Sequence, residues 1–444
     1  MDLQEVRSRV SALMPGVLDD LKELVALPSV AFPGYPSQPV EAMANRTLQL
    51  FRGAGVENAR LMEVPAGYQP IYGEIPGPQG SPVVVLYAHY DVQPAPPEQG
   101  WTSDPWKPTR KDDGRIYGRG AADDKGGIAI HLGTLRAFGG QPPCTVRLIV
   151  EGMEETNSNL EAFVQANPAL FECVVFVICD MGNLKVGEPA LTTTLRGEVA
   201  CVVTVATLEH ALHSGVFGGA APDAMMAMSR LLATLQDDAG NVAVDGVSRF
   251  EWTGGDLSAA EFTDSADLLD GVQLVGGPSV GTTLWSQPSI SVIGLDMTSI
   301  AGSSNVLIPA VKAKISMRVV PGSDPVMELD ALVRHLESHA PWGARVTVER
   351  GKEAPPFRCP TGGSGYAAAC AALEAAYGKP IAEAGSGGSI PLLKTLQQAA
   401  PGAEFVLWGP EDVAAARIHA SDESVDPMEI EAMTVAQVLL LQQL

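Results

Sequence analysis

The sequence predicts an α/β protein: a mostly parallel sheet with helices on both faces, interrupted by an inserted β-α-β-β-α-β unit. Three observations carry this reading. Continuous apolar runs of strand length recur in the first half and again near the end, as in Ser81–Tyr90 and Val174–Asp180. Such runs mark strands buried on both faces. Helix-like segments separate them, as parallel pairing requires. The pattern then changes near Leu191 and returns after residue 355.

Taken in order, Met1–Val30 alternates charged and apolar residues as an amphipathic helix does. It lacks the basic start, apolar run and small-residue cleavage site of a secretory leader. Ser81–Tyr90 is the first buried strand, and Gly126–Phe138 is a helix after a glycine pair. Thr145–Glu151 and Val174–Asp180 are two further strands with helical Leu160–Asn167 between them. The inserted unit then runs as strand Gly197–Ala206, helix Pro222–Leu235, strands Ser289–Leu295 and Val311–Val320, helix Pro325–His339 and strand Ala344–Glu349. That is a complete small unit with its own sheet. Helical Ala367–Tyr377 and strand Ala403–Trp408 resume the first pattern. A chain of 444 residues exceeds the roughly 250–300 that one core supports. The expected division is therefore 1–189 and 356–444 as one catalytic domain, with 190–355 inserted into it.

Composition excludes several classes. The formal net charge of −23 repels phosphate backbones, so nucleic acid is not an expected partner. No apolar run reaches the roughly 18 residues of a membrane span, so no membrane partner is expected either. The six cysteines form no C-x-x-C pair, and most lie in apolar segments. They read as buried free thiols in a reducing compartment, which makes the cytoplasm the expected location.

The ionisable residues that follow the strands carry the chemistry. His89 and Asp91 sit at a strand end and point the same way in extended backbone. Asp91 can then orient the imidazole for metal ligation. Asp123 and Asp124 lie in GRGAADDKGG, Glu154 and Glu155 follow TVRLIVEG, Asp180 ends VVFVICD, and His419 follows AEFVLW. Several strand ends thus deliver imidazoles and carboxylates to one sheet edge, where open α/β sheets build their sites. His89, Asp123, Glu155, Asp180 and His419 together offer two neutral nitrogens and three negative charges. That set suits two divalent cations, zinc above all, with manganese or cobalt as substitutes. A shared carboxylate would bridge ions about 3.5–4 Å apart. The remaining glutamate of the 154–155 pair is free to move a proton. The plainer readings are a structural H-x-D hydrogen bond and a helix N-cap in the Asp-Asp pair.

The motifs LYAHYDVQP, GRGAADDKGG, EGMEETNS, ICDMGN, ALHSGVFGG, SMRVVP, GSGGSIP and IHASDE occur in one order along nearly the whole chain. In that order they resemble the dinuclear zinc metallopeptidases of clan MH. These include carnosinases, cytosolic non-specific dipeptidases, glutamate carboxypeptidase, aminoacylases and succinyl-diaminopimelate desuccinylase. The dipeptidase branch is the most similar. The resemblance implies that Asp123 bridges the metals, that His89 and Asp180 hold one ion, and that Glu155 and His419 hold the other. It assigns general base and acid work to Glu154, acting on a hydroxide shared by the metals, and assigns Asp91 the support of His89. It implies a cis peptide that places Asp124 after the bridge. It makes the insert a lid and dimerisation domain, whose His213 reaches the other subunit's site, with Asn305 beside it. Arg318 would clamp a substrate carboxylate, with Gly388 and Ser389 contacting the same end.

Two departures fall on the substrate side. Gly385 and Ser386 stand where carnosinase-type members carry Arg-Glu, and PPFRCPTGG lacks the expected histidine. The remaining histidines read as packing (His131) and as a solvated helix face (His335 and His339). The expected activity is hydrolysis of dipeptides or short peptides with a free C-terminal carboxylate, by a homodimer. The alternative is an N-acyl- or N-carbamoyl-amino-acid amidohydrolase of the same architecture, and a catalytically inactive binding protein is a third.

Overall fold

The computed structural model describes residues 1–156, 158–388 and 390–444. The large sheet contains β1 (Ile71–Ile75), β2 (Val83–His89), β3 (Thr145–Glu151), β4 (Val175–Ile178) and β5 (Ala190–Leu195). The small sheet takes β6 (Gly197–Ala206), β7 (Ser289–Asp296), β8 (Ala310–Val319) and β9 (Arg345–Ala354). Then β10 (Ala382–Ser386) and β11 (Glu404–Leu407) return to the large sheet. Its order is β1-β3-β2-β4-β11-β5, with β10 also paired to β5. The centre, β3-β2-β4-β11, is parallel. Pairing is antiparallel at β1·β3 and β11·β5.

Strand β2 shows why its sequence is apolar throughout. Val84, Leu86 and Ala88 pack into one core, and Val85 and Tyr87 into another. Alternate side chains of a strand face opposite sides, so both faces are dry. The first core is covered by α1 (Leu3–Val25), α2 (Ser37–Gly53) and α3 (Lys125–Ala137). The second is covered by α4 (Leu160–Ala166). The small sheet, antiparallel in the order β7-β8-β6-β9, packs α5 (Ala224–Ala233) over its third core. Asp223 caps α5 by accepting from the Met225 and Met226 amides, which fixes the helix start that Pro222 suggests.

The stretch between α5 and β7 differs from the sequence reading, which leaves it irregular. It carries α6 (Ala259–Ser265), started by a reciprocal Ser258–Glu261 capping box. Trp285 and Leu257 from this stretch pack with Ala190 and Ala384 of the large sheet. The chain crosses from the large sheet to the small one at Arg196, after β5 has paired with β10 and β11. Helix α7 (Pro325–Ser338) lies against the third core. His335 is buried there, 2.9 Å from the Thr234 hydroxyl, and stacks on His339. The solvated face expected for this pair is therefore corrected at His335, which points inward. Finally, α8 (Ser364–Tyr377) and α10 (Pro427–Gln443) join the first core and α9 (Leu392–Ala399) the second.

Candidate active site

Four parallel strands end on the same edge, and the loops leaving them bring the ionisable residues together. His89 ends β2, and Asp180 lies two residues beyond β4. Asp123 precedes α3, and its peptide bond to Asp124 is cis. Glu154 and Glu155 form a turn after β3. His419 lies in the loop after β11 with a left-handed backbone, φ +64°. That conformation is uncommon for a residue with a Cβ, and it presents the imidazole to Asp123.

The two oxygens of Asp123 face different histidines. Oδ1 is 2.9 Å from His89 Nε2, and Oδ2 is 2.9 Å from His419 Nε2. His89 Nε2 is also 3.6 Å from Asp180 Oδ1, and His419 Nε2 is 3.2 Å from Glu155 Oε2. Two triads result, His89–Asp123–Asp180 and Asp123–Glu155–His419, each with ligand atoms within 4.8 Å of one another. They share Asp123. Asp124 does something else: it accepts from the His89 amide and caps α3 through the Gly127 amide. The helix-cap reading of the Asp-Asp pair thus holds for its second member.

Asp91 is fully buried. Its carboxylate accepts from the Glu154 and Glu155 amides at 3.1 Å each, and its Oδ1 lies 3.5 Å from His89 Nδ1. The closer partner of that nitrogen is the Asp91 carbonyl, at 3.0 Å. One residue therefore orients the histidine through its backbone and fixes the glutamate turn through its side chain. Glu423, which the sequence reading does not single out, performs the matching task for Asp123. Its Oε1 accepts from the Ala122 and Asp123 amides, and its Oε2 pairs with buried Arg119 at 2.6 Å. The only sequence signal was a glutamate four residues beyond His419.

The electrostatics share one cause. Burial, then Asp180, holds Glu154 well above the ordinary glutamate range. Burial also raises Asp180, to about 6. Burial would lower His419, but Asp123 and Glu155 outweigh it and push the imidazole up to about 11. Burial would raise Asp123, but its bonds to His419 and His89 hold it below the usual range. Carboxylates crowded away from water repel one another, and a cation among them relieves that repulsion. Among the described residues, Glu155 Oε1 is buried without a hydrogen-bond partner. Mixed imidazole and carboxylate donors with one such free oxygen fit divalent metal ions.

The cleft above the triads has a volume of about 680 Å³ and is lined by Glu154, Arg318, Lys352 and Gly388 among others. Arg318 reaches it from β8, half-buried and 4.0 Å from Glu198. His213 and Asn305 do not line it: both are exposed at the surface of the insert, His213 on a short strand paired with Val306–Leu307 and Asn305 just before that segment. The Gly388 amide donates to the Ser386 hydroxyl. Ser389 lies outside the described residues. His131 is buried, between the Tyr87 carbonyl and Gln437, as expected of a packing residue.

Residues 85–443 match the model of peptidase family M20/M25/M40. The chain belongs to that family. It is 38% identical over 369 residues to the cysteinylglycine-S-conjugate dipeptidase of Corynebacterium striatum, covering 81% of each protein. Human carnosine dipeptidase 1 superimposes with a TM-score of 0.82 at 26% identity, over 99% of this chain and 98% of that one. The Saccharomyces cerevisiae dipeptidase Dug1p shares the fold, with a TM-score of 0.83 at 22% identity, over 100% and 98%. The expected combination of a catalytic α/β domain and an inserted domain is thereby borne out.

Proposed function

We propose that this metallopeptidase hydrolyses dipeptides with a free C-terminal carboxylate at a site holding two zinc ions. The observation that carries the reading is Asp123, whose two oxygens each lie 2.9 Å from a different histidine. On this reading His89 and Asp180 hold one ion, Glu155 and His419 the other, and Asp123 both. The metals, when bound, supply Lewis acidity to the scissile carbonyl and activate water for attack. Manganese or cobalt would serve the same donor set.

The chain's own residues do the rest. Glu154 lines the cleft and takes the proton of the attacking water, then passes it to the leaving amine. Its raised proton affinity suits a group that must hold a proton between the two steps. Asp91 keeps Glu154 and Glu155 in place. Arg318 receives the substrate carboxylate, which a guanidinium fork matches in shape, and Gly388 lines the same cleft.

We further propose that the protein is a homodimer assembled through the inserted domain, residues 190–355. Edge strand β7 supports this. It pairs only with β8 among the described residues, and it exposes Val292, Ile293 and Leu295. Exposed apolar edges of this kind are otherwise an aggregation hazard. In the dimer, His213 of the partner subunit stabilises the oxyanion, with Asn305 beside it. The exposure of both residues, away from their own cleft, agrees with a role in trans. Six free cysteines support a reducing, cytoplasmic location. No helix among the described residues is long and apolar enough to cross a membrane.

Glu154→Gln tests the assignment. Metal content should stay at the wild-type level while kcat falls by about 10²–10⁴. Turnover near the wild-type rate would reject Glu154 as the proton carrier.

A further inference from the structure

A second cavity, of about 330 Å³, adjoins the cleft. Met181, Ser386, Glu411 and Ile418 line both spaces, so the two share a wall. The rest of the cavity is mostly apolar, with Trp285, Leu284 and Val413 around it. Its existence depends on one of the departures noted in the sequence. A Cβ at Gly385 would lie 2.5 Å from the Trp285 side chain. Only glycine there lets Trp285 lie against β10, braced edge-on by Trp252 at 5.1 Å. An arginine at 385 would displace the indole that forms the wall.

At the shared wall stands Glu411, half-buried near the carboxylates of Asp123 and Asp180, with no hydrogen bond or ion pair to its own carboxylate among the described residues. Arg318 and Lys352, which flank Glu198 at 4.0 and 2.9 Å, supply the positive charge of the cleft. A dipeptide zwitterion therefore has one favourable direction: carboxylate toward Arg318, ammonium toward Glu411. The ammonium shares its carbon with the first side chain. Placing it at Glu411 sends that side chain toward the adjoining cavity. An apolar cavity of about 150 Å³ already accepts benzene, so this one accommodates an aromatic ring or a large thioether.

We propose that Glu411 anchors the substrate's free amino terminus and that the Trp285 cavity receives a bulky apolar side chain on the first residue. The inference rests on the dipeptidase reading above, and it disfavours N-acylated substrates, which lack the ammonium.

The test compares kcat/KM for alanyl-glycine, leucyl-glycine, phenylalanyl-glycine and N-acetyl-phenylalanyl-glycine in the zinc-loaded enzyme. Phenylalanyl-glycine should exceed alanyl-glycine by at least about 10-fold, within the range that hydrophobic pockets discriminate. Val413→Trp, on an exposed cavity residue, should lower that ratio by at least about 10-fold. Glu411→Gln should raise KM for the free-amine substrates by at least about 10-fold and leave the acetylated one unmoved. An unchanged Phe:Ala ratio in Val413→Trp overturns the cavity assignment. Equal losses on free and acetylated substrates in Glu411→Gln overturn the anchor. Failure of the wild type to cleave any of the free dipeptides would instead reject the dipeptidase reading itself.

Discussion

Asp91→Asn changes one oxygen for an amide at the point where the glutamate turn is fastened. The two Asp91 oxygens accept from the Glu154 and Glu155 amides at 3.1 Å each. Asparagine keeps one acceptor and turns a donor toward the other amide. Hydrogen bonds to a charged group contribute about 1.5–3 kcal/mol each. One is lost, the survivor loses its charge assistance, and a buried N–H faces another N–H. The turn should loosen by about 2–4 kcal/mol on those values. Asp91 Oδ1 also lies 3.5 Å from His89 Nδ1, so ligand basicity falls with the charge. Changes behind a ligand typically cost about 10–100-fold in metal affinity. The expected outcome is that loss of metal affinity, with kcat at saturating metal reduced by about 10-fold or more. Competition against a chromophoric chelator reads the first, and alanyl-glycine turnover at high metal reads the second. If both stay within about 3-fold of wild type, Asp91 does not act through the turn or the histidine, and the reasoning fails.

Glu423→Ala leaves Arg119 buried and unpaired and frees the Ala122 and Asp123 amides; a loss of about 3–5 kcal/mol in denaturant unfolding of the first transition is expected. His131 is shifted by burial from 6.5 to about 4. Its neutral form stabilises the fold above pH 6.5, and that stability is lost as pH falls toward 4, by about 3 kcal/mol for a shift of that size. His131→Gln should remove this slope from the difference in melting temperature between pH 6.5 and 4, and an identical acid slope in both proteins would contradict the assignment. Ile293→Lys on the free edge of β7 should give a monomer by light scattering, with turnover reduced, and a dimer unaffected by the lysine would place the interface elsewhere. Mixing His213→Ala with Glu154→Gln subunits should restore turnover, because one site of the mixed dimer is then complete; no recovery after verified subunit exchange argues against action in trans.

How far the sequence reveals this site depends on how each residue acts. Strand β2 is legible because both its faces are dry, so hydrophobicity never alternates away. His89 and Asp180 are legible because a polar residue at the end of such a strand is out of place, whereas His419, in the loop well beyond β11, is legible through the IHASDE motif. Asp123 and Asp124 look alike by residue type, and in the sequence only the family resemblance separates them. The local backbone supplies the physical reason, with Asp124 capping α3 while Asp123 lies between the histidines. Glu423 escapes notice because its partners, the Ala122 and Asp123 amides and the Arg119 side chain, lie about 300 residues earlier in the chain. Helix α6 and Trp285 escape notice because their small core is assembled with Ala190 and Ala384, distant in sequence. His335 escapes because an amphipathic pattern does not reveal that Thr234 waits for its imidazole.

The most direct test of a shared two-metal site is stoichiometric loading of the apo-protein with zinc, followed by metal content and alanyl-glycine turnover at each step, in wild type and Asp123→Ala. The account predicts two bound equivalents in wild type, full turnover only after the second, and loss of both binding and turnover in Asp123→Ala. Saturation at one equivalent with full activity, or an active Asp123→Ala enzyme, would contradict it.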